Sequence, residues 1–292
     1  MYTGGELTLK IINLVEDTYS GNGFEHEHGL SFYIETENHK ILADCGATDM
    51  FIRNARRHKI DLSEIDSIIL SHGHYDHSGG ILPFMRINPF AKIYMNHLAG
   101  GDYYSLKEGG LKYIGIDKRI LDLPSLELIK GNLKIDDEIF IFSGMTAPEN
   151  PSKGNSRLKM KTDKGFVQDS FEHEQCFVIT HKNQKILISG CAHNGMISIL
   201  ERYKELFNSY PDIVISGFHM IQPEPYSEAD ILRIEQTAIK LLKTGATFYT
   251  GHCTGLEAYD IMKEIMGDNL IFFHSGDIIA SASHAFRVDS MI

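Results

Sequence analysis

Hydrophobic and polar residues follow two different periods along this chain, and each period predicts a different element. Short runs rich in β-branched residues, bounded by Gly, Asn and Asp, predict strands, and longer runs with an apolar residue every three to four positions predict helices. The predicted strands lie within residues 7–17, 30–46, 65–70, 176–180, 185–190, 212–217 and 246–250. The predicted helices span residues 50–60, 197–207 and 227–245. This order indicates an α/β fold with two successive strand-helix halves.

The clearest helix prediction covers residues 227–245. Ser227 and Asp230 have the spacing of an N-terminal cap, and Gly245 is a typical stop. One apolar stripe lies between them, formed by Ile231, Ile234, Ala238, Leu241 and Leu242. Such a stripe predicts a helix that packs one face against the core.

The segment from about residue 100 to residue 170 departs from the alternating order. It is rich in the Gly, Pro, Ser and Lys of loops, and only residues 138–143, EIFIFS, read as a strand. We expect an irregular insertion that lies over the functional site and influences which ligand is chosen. A solvated surface excursion is the alternative interpretation.

Length and composition favour a single domain over residues 1–292. A layered α/β fold of 292 residues is common as one domain. Hydrophobic residues make up 42% of the chain and occur along its whole length, so a sizeable core can form.

The charge of the chain limits the class of partner. A formal net charge of −11 disfavours nucleic acid, because phosphate-backbone recognition needs clustered Lys and Arg. No stretch approaches the roughly 20 apolar residues that span a bilayer, and residues 1–20 lack a basic segment followed by an apolar run. We therefore expect a cytoplasmic protein without membrane contact that binds a small molecule; its oligomeric state is open, a homo-oligomer included.

The cysteines and histidines indicate what kind of metal site the chain can build. Cys45, Cys176, Cys191 and Cys253 are far apart and form no CxxC pair, so we expect reduced thiols rather than a zinc knuckle or a disulfide framework. Because the chain has 15 histidines against 4 cysteines, imidazole and carboxylate are the expected ligands.

The sequence SHGHYDHSGG, residues 71–80, follows the predicted strand 65–70. His72 and His74 lie two apart, so on extended backbone their side chains point the same way and can hold one ion. Asp76 and His77 follow on the turn and can face a second position, and this mixture of ligands suits Zn, Fe or Mn. An exposed polar loop explains a single histidine better, but three histidines and an aspartate within six residues favour a metal site.

The HGHYDH run resembles the HxHxDH signature of the metallo-β-lactamase superfamily. Other segments that resemble the same superfamily are EHGLS, ILADCG, GCAHNG, GFHM and GHCTG. The resemblance implies a four-layer αββα sandwich of two mixed β-sheets flanked by helices, with Asp44 beneath the metals. The segments are most similar to a subgroup that includes an archaeal 7,8-dihydropterin-6-ylmethyl-4-(β-D-ribofuranosyl)aminobenzene 5'-phosphate synthase.

The resemblance implies a metal-ligand set for this chain. It assigns His72, His74 and His193 to one metal, and Asp76, His77 and His252 to the other. The residues agree, because His193 and His252 each follow a predicted strand, at 185–190 and 246–250. Zn is the favoured ion, with Mn or Fe as alternatives, and one or two ions can bind.

Several residues near these motifs stay open. Many hydrolases of the superfamily have Gly-Asp where this chain has Gly190-Cys191, so Cys191 is either a thiolate ligand or a packed small side chain. His173 competes with His193 for the third-ligand role. His219 could contact substrate or a carboxylate beside the ligands, whereas His28 and Cys253 are expected to be structural.

These motifs imply an enzyme that acts on a phosphorylated or pyrophosphorylated small molecule, with Asp76 orienting a water and His219 as a further catalytic candidate. A synthase-like condensation follows from the subgroup resemblance, and the missing bridging carboxylate fits it. A metal-dependent hydrolase of phosphodiester, lactone or thioester bonds is the first alternative. A non-catalytic sensor that uses the metals to hold its ligand is the second.

Overall fold

Two mixed β-sheets lie face to face in the computed structural model, which describes residues 9–21, 23–148, 151–282 and 285–288. The strands are, in chain order, β1 (Lys10–Val15), β2 (Ser31–Glu35), β3 (Lys40–Ala43), β4 (Ser67–Leu70), β5 (Lys92–Asn96), β6 (Tyr103–Lys107), β7 (Gly110–Tyr113), β8 (Leu126–Ile129), β9 (Leu133–Lys134), β10 (Ile139–Ser143), β11 (Leu158–Thr162), β12 (Gly165–Gln168), β13 (Gln175–His181), β14 (Gln184–Ile188), β15 (Ile213–Ile215), β16 (Thr247–Thr250), β17 (Leu270–Phe272), β18 (Ile278–Ala282) and β19 (Ala285–Val288).

The helices of the described chain are α1 (Met50–Arg57), α2 (Tyr75–Ser78), α3 (Ile81–Met85), α4 (Met196–Phe207), α5 (Glu228–Leu242) and α6 (Leu256–Met266). None of these described helices has the length and apolar character needed to cross a membrane.

Each of the two large sheets is mixed. The first has the order β19-β18-β1-β2-β3-β4-β5-β8, antiparallel as far as β3 and parallel from there to β8. The second has the order β17-β16-β15-β14-β13-β10-β9, with β14 to β17 parallel and the rest antiparallel. The carboxyl ends of the parallel strands of both sheets therefore lead into the loops that carry the sequence motifs.

Three hydrophobic layers hold these sheets and helices together. Between the sheets, side chains such as Ile34 and Ile188 are buried in one shared cluster. On the outer face of the first sheet lie Phe51 of α1 and Phe84 of α3, and on that of the second sheet lies Ile234 of α5. Because strands buried on both faces are apolar throughout, their sequences are continuous runs of apolar residues and do not alternate with polar ones. The predicted αββα sandwich is confirmed.

Helix α5 shows how closely the pattern predicts a helix. The side chain of Ser227 accepts a hydrogen bond from the Asp230 backbone N–H, and the Asp230 side chain accepts one from Ser227, which makes the predicted capping box. Within the predicted stripe, Ile234, Ala238 and Leu241 are buried. Leu242 is exposed instead, because one residue turns a helix by about 100° and carries it out of the buried face.

Residues 100–170 are not the irregular insertion that the composition predicts. Strands β6, β7, β11 and β12 form an antiparallel sheet of their own, while β8 extends the first large sheet and β9 and β10 extend the second. Apart from β10, which is mostly buried and which the pattern predicts, these strands are hidden because they are short and mostly exposed: in β6 only Tyr103 and Ser105 are buried, and in β11 only Leu158. A strand that buries so few apolar side chains has the composition of a loop.

Candidate metal centre

The loop that follows β4 has almost no free space around its glycines. A Cβ atom on Gly73 would lie 2.3 Å from the Ala99 carbonyl oxygen, and one on Gly79 would lie 2.0 Å from that of Ala47. A Cβ atom on Gly80 would lie 2.2 Å from the Cys45 carbonyl oxygen. None of these three glycines has a positive φ. Glycine is therefore required here by close packing of the backbone, which brings the side chains of the motif together.

The structure brings all six predicted metal ligands to one buried place. We call His72, His74 and His193 the first cluster, and Asp76, His77 and His252 the second cluster. In the first cluster the ring centroids are 4.5 to 4.9 Å apart. In the second, the ligand atoms lie within 4.8 Å of one another. None of the six residues is more than 7% exposed.

Neutral hydrogen-bond partners orient the imidazoles of the first cluster. Ser71 Oγ donates to Asp44 at 2.7 Å, so it accepts from Nδ1 of His72, 2.8 Å away. Asn155 donates its amide to the His193 carbonyl oxygen and accepts from His193 Nδ1 at 3.0 Å. Because each Nδ1 carries the proton, each Nε2 has a lone pair.

Carboxylates orient the imidazoles of the second cluster. Nδ1 of His77 donates to Asp44 over 2.6 Å, and Nδ1 of His252 donates to Asp17 over 2.5 Å. Asp44 also accepts from Ser71, so its two oxygens are used by the loop and it lies beneath the ligands rather than among them. A carboxylate on the far nitrogen of a ligating histidine fixes its tautomer and raises its basicity.

The two clusters differ in their affinity for protons. Burial and the neighbouring imidazoles lower the pKa of His72 and His193 well below the usual range, and the pKa of His74 to about 3. Burial lowers the pKa of His252 as well, but the hydrogen bond to Asp17 and the Asp76 carboxylate, 3.6 Å from Nε2, outweigh it and raise that pKa. The first cluster is therefore neutral, and the second attracts positive charge.

The side chains fit a bound metal ion. Nε2 of His72 and Nε2 of His193 are 3.3 Å apart, and two lone pairs at that distance repel unless a cation lies between them. Nε2 of His74 and Nε2 of His252 are buried and have no hydrogen-bond partner among the described residues. Imidazoles, a carboxylate and a thiol are a donor set suited to Zn, Fe or Mn.

Hydrogen bonds distinguish His193 from His173, the alternative candidate for the third ligand of the first cluster. Nδ1 of His173 accepts from the Gly73 N–H at 3.0 Å, and Nε2 pairs with Asp169 at 3.2 Å. Both ring nitrogens are therefore used, whereas Nε2 of His193 faces His72. His173 still lies near the ligands, with its ligand atom within 4.8 Å of those of His74 and Asp169.

Cys191 lies between the two clusters. Its Sγ is 3.1 Å from Nε2 of His77. It lies within 4.8 Å of the ligand atoms of Asp76 and His252, and also within 4.8 Å of those of His72 and His193. Burial raises the pKa of its thiol well above the usual value. A central thiol at this position can either bridge two ions as a thiolate or pack as a neutral side chain.

His28 lies beside the second cluster, and His219 lies beside His193 of the first. His28 is exposed, with its Nδ1 2.9 Å from Asp17 and its Nε2 3.5 Å from Asp76, at the solvent side of the second cluster. The hydrogen bond to Asp17 raises the pKa of His28. The His219 ring is 4.1 Å from that of His193, and neither of its nitrogens has a hydrogen-bond partner among the described residues, a carboxylate included.

Four polar residues that support the ligands are absent from the sequence predictions: Glu16, Asp17, Asn155 and Glu174. Glu16 accepts from the His252 backbone N–H at 3.0 Å, and Glu174 accepts from that of His193 at 2.7 Å. Burial raises the pKa of Glu16 to about 7. Glu16 and Asp17 directly follow β1, so the strand-end rule that selected the other residues could have found them. Asn155 lies in a loop-like segment with no signal of this kind.

A cavity of about 310 Å³ opens beside the first cluster. His193 forms part of its wall, next to the first turn of α4, whose N-cap Gly195 has no side chain to offer the free backbone N–H groups. Arg233 and Lys240 of α5 contribute positive charge, and Phe218 is one of several apolar residues. The cavity can hold a small molecule with an anionic part and an apolar part.

The fold and this arrangement of histidines have counterparts in known proteins. A family model described as the Metallo-beta-lactamase superfamily matches residues 26–228. The chain belongs to this superfamily. The match extends from the segment before β2 to the start of α5, and so covers the HGHYDH loop and His193.

Two curated relatives from Methanocaldococcus jannaschii cover nearly the whole of this superfamily member. One is named 7,8-dihydropterin-6-methyl-4-(beta-D-ribofuranosyl)-aminobenzene-5'-phosphate synthase and is 31% identical over 93% of this chain and 96% of its own. The other is an uncharacterized protein, 31% identical over 92% of this chain and 99% of its own.

Solved structures with this fold also match nearly the whole of the chain. The structure of Tm1679, titled a metal-dependent hydrolase of the beta-lactamase superfamily, has a TM-score of 0.77 and 28% identity, and the match covers 94% of this chain and 99% of that one. YhfI from Bacillus subtilis, a metallo-beta-lactamase fold protein, has a TM-score of 0.57 at 14% identity over 94% and 100% of the two chains, which shows the shared fold.

Proposed function

We propose that this protein is a metal-dependent enzyme of the metallo-β-lactamase superfamily that transforms a phosphorylated or pyrophosphorylated small molecule in a synthase-like reaction. The observation that carries the proposal is the cavity with Arg233 and Lys240 in its wall, which shares His193 with the first cluster. A ligand in that cavity lies next to the metal centre and can place its anionic part against two cationic side chains.

We assign the metal ligands as two sets. His72, His74 and His193 hold one divalent ion, and Asp76, His77 and His252 hold the other, with zinc favoured over manganese and iron for this mixture of imidazole and carboxylate. Bound ions at this place would stabilise charge on a phosphoryl oxygen and increase the acidity of a bound water.

The chain itself orients and confines the reactants. Asp17, Asp44, Ser71 and Asn155 hold the ligating imidazoles in one tautomer. Asp76 is nine-tenths buried beside His77 and His252; burial raises its pKa, but these two imidazoles lower it well below the usual range, so it is ionised and can orient a water. His28, at the solvent side of Asp76, is placed to exchange protons with water.

Two features support a condensation that forms a carbon–nitrogen bond to an amine, in preference to hydrolysis. The relative that is 31% identical over 93% of the chain is named as a synthase. In addition, Cys191 lies between the clusters in place of a bridging carboxylate. A hydrolase is the second candidate, since the structure with a TM-score of 0.77 is titled a metal-dependent hydrolase.

The direct test is product analysis with defined substrates. The metal-loaded protein is incubated with a dihydropterin pyrophosphate and an aminobenzene ribosyl phosphate, in parallel with phosphodiesters, lactones and thioesters. A carbon–nitrogen condensation product supports the synthase, and turnover of the second panel alone supports the hydrolase. If neither set is turned over, and a phosphorylated ligand still raises the melting temperature, the protein is a sensor rather than an enzyme.

The cavity is tested by charge removal. We expect Arg233→Ala and Lys240→Ala to raise KM for the phosphorylated substrate by about 10- to 100-fold, the range of a hydrogen bond to a charged group, with a smaller change in kcat. Lys243→Ala is the matched control, because Lys243 is an exposed lysine just past the end of α5 and outside the cavity. Equal KM values for all three variants would exclude this cavity as the anion site.

A further inference from the structure

Three neighbouring strand ends of the second sheet bring two thiols and an imidazole together. Cys191 follows β14, His219 follows β15 and Cys253 follows β16, and these strands are adjacent and parallel. The Sγ atoms of Cys191 and Cys253 and a ring nitrogen of His219 lie within 4.8 Å of one another. The sheet topology thus assembles a sulfur-rich group that the ligand assignment above does not use.

Among the described residues, His219 and Cys253 lack strong hydrogen-bond partners, whereas Sγ of Cys191 lies 3.1 Å from Nε2 of His77. Both ring nitrogens of His219 are buried and make no hydrogen bond within the described chain. The thiol of Cys253 donates to the Cys191 carbonyl oxygen over a long 3.5 Å. Cys191 and Cys253 are 3% and 4% exposed. A buried imidazole without a partner is rare in proteins and calls for a ligand.

The backbone around the group is shaped to hold it. His219 has a φ of +46°, a conformation that costs free energy for a residue with a side chain and is found mainly where function demands it. A Cβ on Gly217 would lie 2.5 Å from Sγ of Cys253, so only glycine leaves room for that thiol. His219 and Cys253 are also linked directly, since the His219 backbone N–H donates to Sγ of Cys253 at 3.3 Å.

We propose that Cys191, Cys253 and His219 bind a third cation, a thiophilic divalent ion such as Zn²⁺ or Cd²⁺, beside the two ligand clusters. Two thiolates and one imidazole are three of the four ligands of a tetrahedral zinc site, and the fourth position is left for water or a substrate atom. Binding displaces the protons of both thiols into solvent, and the sulfurs then donate to the metal. The Cys191 thiolate is shared with the neighbouring clusters, which explains a cysteine at this central position.

The site is tested with Cd²⁺ as the probe, because cadmium thiolate bonds absorb in the ultraviolet and report sulfur ligation without any substrate. The chelated, reduced protein is titrated with Cd²⁺, the absorbance is followed, and the bound metal is counted by mass spectrometry after desalting. The variants are Cys253→Ser and His219→Gln. Cys176→Ser is the matched control, because Cys176 is equally buried on β13 and its thiol contacts Ser189 outside the group.

We expect Cys253→Ser to bind one equivalent of Cd²⁺ fewer than the wild-type protein and to lose part of the thiolate absorbance. His219→Gln is expected to bind the same equivalent at least tenfold more weakly, and Cys176→Ser to match the wild type. Circular dichroism of each variant verifies its fold. The proposal is overturned if Cys253→Ser keeps the wild-type stoichiometry and absorbance, or if Cys176→Ser loses as much. Because no substrate enters this measurement, its result is independent of the proposed reaction.

Discussion

The two ligand clusters are similar in geometry and opposite in electrostatics. Both are buried; in the first, Nε2 of His72 and Nε2 of His193 are 3.3 Å apart, and in the second the ligand atoms lie within 4.8 Å of one another. The imidazoles of the first are held by Ser71 and Asn155, which are neutral, and those of the second by the carboxylates of Asp44 and Asp17. Imidazole side chains are thus placed in two different electrostatic environments.

This difference predicts two unequal metal positions. Burial keeps the imidazoles of the first cluster uncharged, so an ion there is held by the Nε2 lone pairs of neutral rings. In the second cluster Asp76 and the carboxylates behind it already raise the pKa of His252, and the field that attracts a proton also attracts a metal ion. The second cluster should bind its ion more tightly, and the following variants test that order.

The largest effect is expected for Asp76→Asn, which removes the carboxylate of the second cluster without changing its size. We expect the loss of about one bound metal ion and a decrease in kcat/KM of more than about a hundredfold, beyond the range for residues that only support a ligand. Metal analysis and kinetics measure both. The control is Asp117→Asn, since Asp117 is paired with Arg119 on the surface. Full metal content in Asp76→Asn would remove Asp76 from the ligand set.

The next comparison separates His193 from His173. His193→Ala should release the ion of the first cluster and retain that of the second. His173→Ala should keep both ions but destabilise the fold by about 1–3 kcal/mol, because the buried Gly73 N–H loses its acceptor. Metal counts and denaturant unfolding distinguish the two. The reverse result would make His173 the third ligand.

A smaller effect is expected from the residues behind the ligands. Asp17→Ala should weaken the ion of the second cluster by about 10- to 100-fold, as is usual when the carboxylate partner of a ligating histidine is lost. Asn155→Ala, which removes a neutral partner, should weaken the ion of the first cluster by less than about tenfold. Chelator competition gives both values. Equal losses would show that charge is not what distinguishes the clusters.

The smallest expected effect concerns stability at the N-terminal cap of α5, which is outside the two ligand clusters. Asp230 caps α5 and pairs with Lys153, and these hydrogen bonds lower its pKa. A lowered folded pKa stabilises the protein above the unfolded value of about 3.8 and ceases to do so as the pH falls through the folded value. Asp230→Ala should therefore melt at a lower temperature than the wild type at pH 7, and the difference should shrink below about pH 4. Glu228→Ala, an exposed change in the same helical turn, should show no such dependence.

The sequence predicts the layers of the fold better than the details of segment 100–170. The core strands and helices bury whole faces, so their periodicity is strong, as in α5. The added sheet of β6, β7, β11 and β12 is held by few buried side chains, among them Tyr103 and Leu158. Its strands pair through backbone groups, which every residue carries, and the side-chain pattern therefore says little about them.

The candidate site likewise has a part that the sequence predicts and a part that only the structure reveals. His72, His74, Asp76 and His77 are found from the sequence because they are neighbours in one loop, and their spacing is itself the signal. The residues that hydrogen-bond to the predicted ligands cannot be found from the sequence in this way. Asn155 contacts His193 across a sequence separation of 38 residues, and Asp17 contacts His252 across 235.

By itself, therefore, the sequence determined the α/β order of elements from its periodicity, and the superfamily, its αββα layering and the candidate metal-binding loop from the resemblance of short motifs, since each signal lies within short stretches of the chain. Only the tertiary structure decided that Asp17, Asn155 and Glu174 contact the predicted ligands, that His173 is hydrogen-bonded elsewhere, and that Cys191, His219 and Cys253 meet at three strand ends. The physical reason is that these contacts join residues far apart in the chain, and their geometry exists only once the two sheets have packed together.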